Sequence, residues 1–242
     1  MNNIQKVDNL FNEAKELFNS KNFAGAKEKL NLILSIDPQF VLAHSHLGVI
    51  EFKNKEYPDA IHHCDTAIDL DPLCTHAYYI KALICEETGE VPIAVKNINK
   101  AIKINSRDAS FYLLRCKINM SQSKFNSAQN DMLKAIESNN LYGGFSDYDI
   151  ILQSLRTMET LIENEQFDQS KKVISMLIEW YPQYNDTYNF NQLYSLSSEE
   201  NTSEILYKIK DLFNKKMKVP TPDTSNMDKL LLKEILININ KR

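Results

Sequence analysis

Glycine is scarce in this chain, five residues in 242, and proline is hardly commoner at seven. β architectures use turn residues every few positions. Few runs alternate apolar with polar side chains, so the shortage counts against sheets and for an all-α protein. Cysteine is rare too, at Cys64, Cys74, Cys85 and Cys116. No two stand at C-x-x-C spacing, which removes zinc knuckles and thioredoxin-like motifs and leaves reduced thiols in a cytoplasmic compartment as the expectation. No stretch approaches ~18 uninterrupted apolar residues, so no membrane span is expected. The opening "MNNIQKVDNLFNEAK", with Lys6 and Asp8, lacks the apolar core of a secretory signal. An excess of basic charge is also missing. The formal charge is −4, and phosphate binding requires a clustered basic surface, so nucleic acid is not an expected partner. The balance is uneven: residues 203–242 hold nine Lys/Arg against five Asp/Glu, leaving about −8 on the first 202.

What is present is an ordinary globular composition, 43% apolar and 25% charged, arranged periodically. Four consecutive blocks align at a spacing of 34 residues: 7–40, 41–74, 75–108 and 109–142. Each has an aromatic or branched residue followed three positions later by alanine, at Phe23/Ala26, Tyr57/Ala60, Val91/Ala94 and Phe125/Ala128. Leu30, Cys64, Ile98 and Met132 come four later, and Ile33, Ala67, Ala101 and Ala135 three beyond those. Steps of three and four make one buried stripe of a helix. Ala14, Gly48, Ala82 and Cys116 recur in the preceding segment, where small side chains let two helices approach. Asp37-Pro38 and Asp71-Pro72 stop the first two blocks, since proline cannot continue a helix.

A two-helix unit of 34 residues with this pattern resembles the tetratricopeptide repeat family, most closely in "HSHLGVIEFKNKEYPDAIHHCDTAIDLDP". Blocks three and four depart from it with Ser106 and Asn140 where proline is usual. The resemblance implies a right-handed α-solenoid with four repeats in residues 1–142. Residues 143–218 read as degenerate repeats after a Gly-containing loop, "LYGGFSDYD", with a fifth unit in register from Ile151 through Leu161, Phe167, Ser170, Ile174, Leu177 and Pro182. Residues 219–226 read as a linker and residues 227–242, "MDKLLLKEILININKR", as an amphipathic helix. That helix is expected to cap the last unit, or to dock into a partner or a second copy.

The stretch "HHC" at residues 62–64 invites a reading as a metal site or a nucleophile with its base. Cys64 falls on the buried stripe, where a thiolate is disfavoured. His63 points about 100° away from it. His62 shares a face with Asp59 and Asp65, yet helical ligands need help from a second element. Neither a catalytic nor a metal site is expected, and Gly143-Gly144 without a following Lys-Ser/Thr is no phosphate loop. No cofactor is called for.

In the family the first helices of successive units line a groove. The resemblance therefore implies a partner-binding strip of Phe11, Lys15, Phe18, His46, Val49, Phe52, Lys53, His76, Tyr79, Leu83, Leu113 and Lys117. Aromatic and aliphatic side chains with lysines at hand suit a peptide or helix of a partner protein, and His46 and His76 are expected to make affinity vary near neutral pH. The family's carboxylate clamp for heat-shock chaperone tails aligns with Phe11, Lys15, His46, His76 and Ile80, where isoleucine replaces a bidentate arginine. The sequence thus favours a non-catalytic adaptor or scaffold inside a larger complex. A co-chaperone-type helper, binding chaperone tails or an assembly subunit, is the alternative.

Overall fold

The computed structural model describes residues 3–184, 190–198 and 202–216, and every regular element among them is helical. The linker and amphipathic helix expected at 219–242 lie outside the described residues. Five helical hairpins follow one another: α1 (Asn3–Asn19) with α2 (Phe23–Ile36), α3 (Val41–Lys53) with α4 (Tyr57–Leu70), α5 (Thr75–Glu87) with α6 (Val91–Ile104), α7 (Ala109–Ser121) with α8 (Phe125–Tyr142), and α9 (Asp147–Glu163) with α10 (Phe167–Trp180). A short 3-10 turn (Pro182–Tyr184) precedes α11 (Phe190–Ser198) and α12 (Thr202–Lys216). This is an all-α helical-repeat solenoid.

The hairpin turns explain the period. Each first helix ends on a residue with left-handed backbone, at Lys21 (φ 62°), Lys55 (63°), Gly89 (80°), Ser123 (56°) and Glu165 (59°). The following N–H reaches back across the turn, Asn22 to the Leu17 carbonyl at 2.8 Å and Glu56 to the Glu51 carbonyl at 2.9 Å, which closes the orphan carbonyls of the helix end. The second helix then starts at once on Phe23, Tyr57, Val91, Phe125 or Phe167. Pro58 and Pro92 sit in the first turns of α4 and α6, where a missing N–H costs nothing. At the far end Asp37 and Asp71 turn the chain, each carboxylate accepting the N–H two residues on, from Gln39 and Leu73.

The stripe read from the spacing is the core. Ala26, Ala60, Ala94 and Ala128 have no exposed surface, nor do Leu30, Cys64 and Ile98. Gly48 shows why small residues are required opposite them: a Cβ there would lie 2.9 Å from the Cys64 Sγ, closer than real contacts allow.

By packing, the chain divides into two compact units, one holding residues 3–106 and the other continuing from Arg107. In the first, α2 packs on α3, α4 on α5, and α3 beside α5. In the second, α8 packs on α9 and α10, α10 on α11, and α12 on α9.

The inserted segment is mostly helix, not the exposed loop expected for residues 141–149. Leu141 and Tyr142 complete α8, Asp147 opens α9, and only residues 143–146 connect them. Gly143 at φ 73° stops α8. Ser146 caps α9 by accepting the Asp149 N–H and donating its hydroxyl to the Asp149 carboxylate. The Asn139 side chain ties the turn down, accepting the Phe145 N–H at 2.7 Å and donating to the Tyr181 hydroxyl at 3.3 Å. Relative to the earlier repeats, α8 has 18 residues where α2, α4 and α6 have 14, and α9 has 17 where α3, α5 and α7 have 13.

Candidate functional site

The first unit gathers the chemistry of its first helices around His46. The His46 ring meets Phe11 edge-on at 5.2 Å between centroids and Phe18 at 5.9 Å, so α1 and α3 are locked by three aromatic rings. Phe11 also packs edge-on against Phe40, and Phe18 against Phe23. The Lys15 ammonium lies over the Phe11 ring, 5.2 Å from its centroid.

His46 is 1% exposed, and its Nδ1–H donates to the Leu42 carbonyl at 2.7 Å. That bond fixes the tautomer and leaves Nε2 as a bare acceptor. Nε2 is buried and has no hydrogen-bond partner among the described residues. Burial lowers the His46 pKa to about 4, a backbone bond to Leu42 opposes the fall, and nearby His76 and Lys15 deepen it. The expectation that His46 tunes affinity near neutral pH is therefore corrected: the ring is neutral there, because protonation would place a charge in a dry aromatic setting.

Val49, His76, Tyr79 and Leu83 are also buried. Phe52 and Lys53, both half-buried, lie at the turn end of α3. Phe52 packs on Tyr57, and the Lys53 ammonium lies over Phe23 with its pKa lowered by burial and by Lys21. Leu113, half-buried, and Lys117, exposed, belong to α7 of the second unit. The structure thus brings Phe11, Lys15, Phe18 and His46 together with His76 in electrostatic reach. It places Phe52 and Lys53 at one end of the strip.

The "HHC" stretch resolves into three environments. Cys64 is buried against Gly48, and burial pushes its thiol far above the ordinary range. His62 is exposed, and Asp65 is engaged by Lys81. His63 hydrogen-bonds across the hairpin, its Nδ1 3.2 Å from the Nδ1 of His44. The His44 Nε2–H donates to the Pro38 carbonyl at 3.1 Å, so His44 Nδ1 accepts and His63 Nδ1 donates. Beside them Glu51, 2% exposed, pairs with Lys27 of α2 at 2.7 Å. Sequence reasoning had no signal for the histidine pair, because residues 19 apart meet only once the hairpin closes.

In the second unit the missed feature is an ion pair across the α7–α8 hairpin. The Arg115 guanidinium grips Asp131 from Nε at 3.0 and 3.1 Å and from Nη2 at 2.6 Å, while Asn119 donates to the same carboxylate at 2.8 Å. A signal did exist. Glu13 and Lys29, paired at 2.7 Å between α1 and α2, occupy the same places in the first block with the charges exchanged.

No group of three metal-ligating side chains occurs among the described residues, and none of their helices is long and apolar enough to cross a membrane. No protein-family model matches the sequence, nor does any curated protein. Solved structures do match. The pilF protein of Pseudomonas aeruginosa superposes with a TM-score of 0.64 at 13% identity, over 98% of this chain and 99% of that one. A thermophilic TPR protein of Thermus thermophilus gives 0.56 at 15% identity, over 79% and 98%. YrrB, a TPR protein with an unusual peptide-binding site, gives 0.51 at 15% identity, over 85% and 96%. The chain has the fold of tetratricopeptide repeat proteins.

Proposed function

We propose that the protein is a non-catalytic adaptor that holds a peptide segment or helix of a partner protein on the first-helix face of residues 3–106. The observation that carries this reading is the cluster of Phe11, Phe18 and His46 with Lys15. Three buried rings from successive first helices form a rigid apolar base, and the half-buried Lys15 lies over it as a flexible cation. YrrB, of the same fold, has a peptide-binding site. Catalysis finds little support here. The four cysteines are buried, and burial raises the thiol pKa of each, to about 12 for Cys116.

The chaperone-tail reading has less behind it. Among the aligned positions Phe11, Lys15, His46, His76 and Ile80, Lys15 is the one permanent cation, and His46 is held neutral.

Affinity capture followed by cross-linking tests the adaptor reading. A partner should cross-link to Lys15 or Lys53 and be lost from a Tyr79→Ala variant that keeps its helicity. Retention of every captured protein by that variant would sink it.

A further inference from the structure

We propose that His44 and His63 bind a late first-row divalent cation such as zinc, held between their Nδ1 atoms across the α3–α4 hairpin. The inference goes beyond the adaptor reading and does not depend on it.

The pair has its own side of α3. His44 and His46 are two residues apart and so point about 200° from each other. His46 meets Phe11 and Phe18 of α1, and His44 meets His63 of α4. The second element that a helical ligand needs is therefore present, and it is α3.

Three features match what a metal ion asks of imidazoles. The first is separation. Two nitrogens bound to one zinc at tetrahedral angles lie about 3.3–3.4 Å apart, and these two Nδ1 atoms are already 3.2 Å apart. The second is tautomer. The His44 Nε2–H donates to the Pro38 carbonyl at 3.1 Å, which leaves Nδ1 with the lone pair and anchors the ring from behind. Ligating histidines are commonly held in this way, with the other N–H on a carbonyl or carboxylate. The third is protonation. A ligating ring must be neutral, and burial, then His44 and His62, lower the His63 pKa.

The change required is small. His63 donates from Nδ1 in the empty pair; with the cation bound, its proton sits on Nε2 and both Nδ1 lone pairs face the ion. The two ring planes are inclined at 43°, so a modest turn of the His63 ring brings the lone pairs to one point. His63 is half-buried beside the exposed His62, which leaves the pair open to solvent on the α4 side. Charge assists. Glu51 and Asp59 both act on His63 in the sense that favours a cation, although Glu51 is shared with Lys27. Asp59 is exposed and one turn before His63 on α4.

No third His, Cys, Asp or Glu among the described residues completes a ligand group. Water fills the remaining positions, so the ion is exchangeable and not locked in place. Imidazole suits zinc, copper and nickel, whereas calcium and magnesium prefer all-oxygen shells.

The test titrates zinc chloride into the full chain, free of any histidine tag, near neutral pH with calorimetric readout. Zinc should bind at a single site with micromolar Kd and raise Tm. His63→Gln and His44→Gln should each weaken binding at least about tenfold, and His62→Gln less than about twofold. In nitrogen NMR, zinc should move the Nδ1 signals of His44 and His63 more than their Nε2 signals. If His44→Gln loses helicity, His63→Gln and the NMR shifts still decide. No zinc binding by the wild-type chain, or equal binding by His63→Gln, overturns the inference. A loss on His62→Gln as large as that on His63→Gln would move the ion to the outer face of α4 and overturn it too.

Discussion

The first and fourth hairpins are closed by the same pair of positions with opposite charge order. Glu13 faces Lys29 across α1–α2, and Arg115 faces Asp131 across α7–α8. The distances are alike, at 2.7 and 2.6 Å, but the settings differ. Side-chain exposure is 51% and 33% for the first pair against 26% and 5% for the second. Water competes for Glu13 and Lys29, whereas Asp131 is held by a two-pronged guanidinium and by Asn119. A register shared by two repeats fixes where side chains meet, and burial fixes what the meeting is worth.

The sharpest way to break that comparison is to delete one partner from each pair. Asp131→Ala leaves the Arg115 guanidinium and the Asn119 amide without their acceptor and should cost about 3–5 kcal/mol in chemical denaturation. Lys29→Ala should leave the transition where it was. Equal losses would show that burial does not separate the two hairpins.

Acid should then separate the units. The pKa of His46, about 4 in the fold, lies below its ordinary 6.5, so folding favours the neutral ring. Its contribution is complete above pH 6.5 and is lost as pH falls towards 4, at up to about 1.4 kcal/mol per unit and about 3 kcal/mol in all. Amide exchange should show residues 3–106 loosening between pH 6 and 4 before the second unit does, and His46→Phe should flatten the dependence.

A smaller effect tests the fifth repeat against the first four. Ser170 stands where Ala26, Ala60, Ala94 and Ala128 stand, fully buried, and its hydroxyl has no partner among the described residues. Ser170→Ala should therefore stabilise the protein by about 1 kcal/mol, visible as a raised Tm. A fall in Tm would mean that the hydroxyl is satisfied.

The smallest concerns the hairpin turns. Lys55 and Gly89 adopt the same left-handed backbone, one against its preference and one at ease. Lys55→Gly should gain about 0.5–1 kcal/mol and Gly89→Ala should lose about as much, although a Cβ at Gly89 would meet nothing within 4 Å. Denaturant midpoints for the two variants should therefore move in opposite directions.

These equivalences also show what sequence could and could not convey. The stripe of Ala26, Leu30 and Ile33 and its copies was legible, because a helix must bury residues three and four apart and the period repeats them. The His44–His63 bond was not, since neither residue recurs at its place in the other blocks. His46 was singled out as part of the binding strip, but its neutral state depends on two phenylalanines from another helix, which spacing alone does not bring together. The inserted segment misled because glycines suggest a loop, whereas Ser146 and Asn139 confine the loop to four residues.

That insertion has an arithmetic of its own. The left-handed turn residue recurs every 34 positions up to Ser123 and then after 42, at Glu165. The eight extra residues divide evenly, four on α8 and four on α9. Four residues advance a helix by about 400°, which is one revolution and only about 40° more, so each stripe returns almost to phase. Lengths added to one arm of such a hairpin are therefore tolerated in fours and matched on the other arm, and single-residue changes are not. Gene variants of this chain that delete residues in the α8–α9 arms should survive when they remove eight, four from each side, and fail when they remove two.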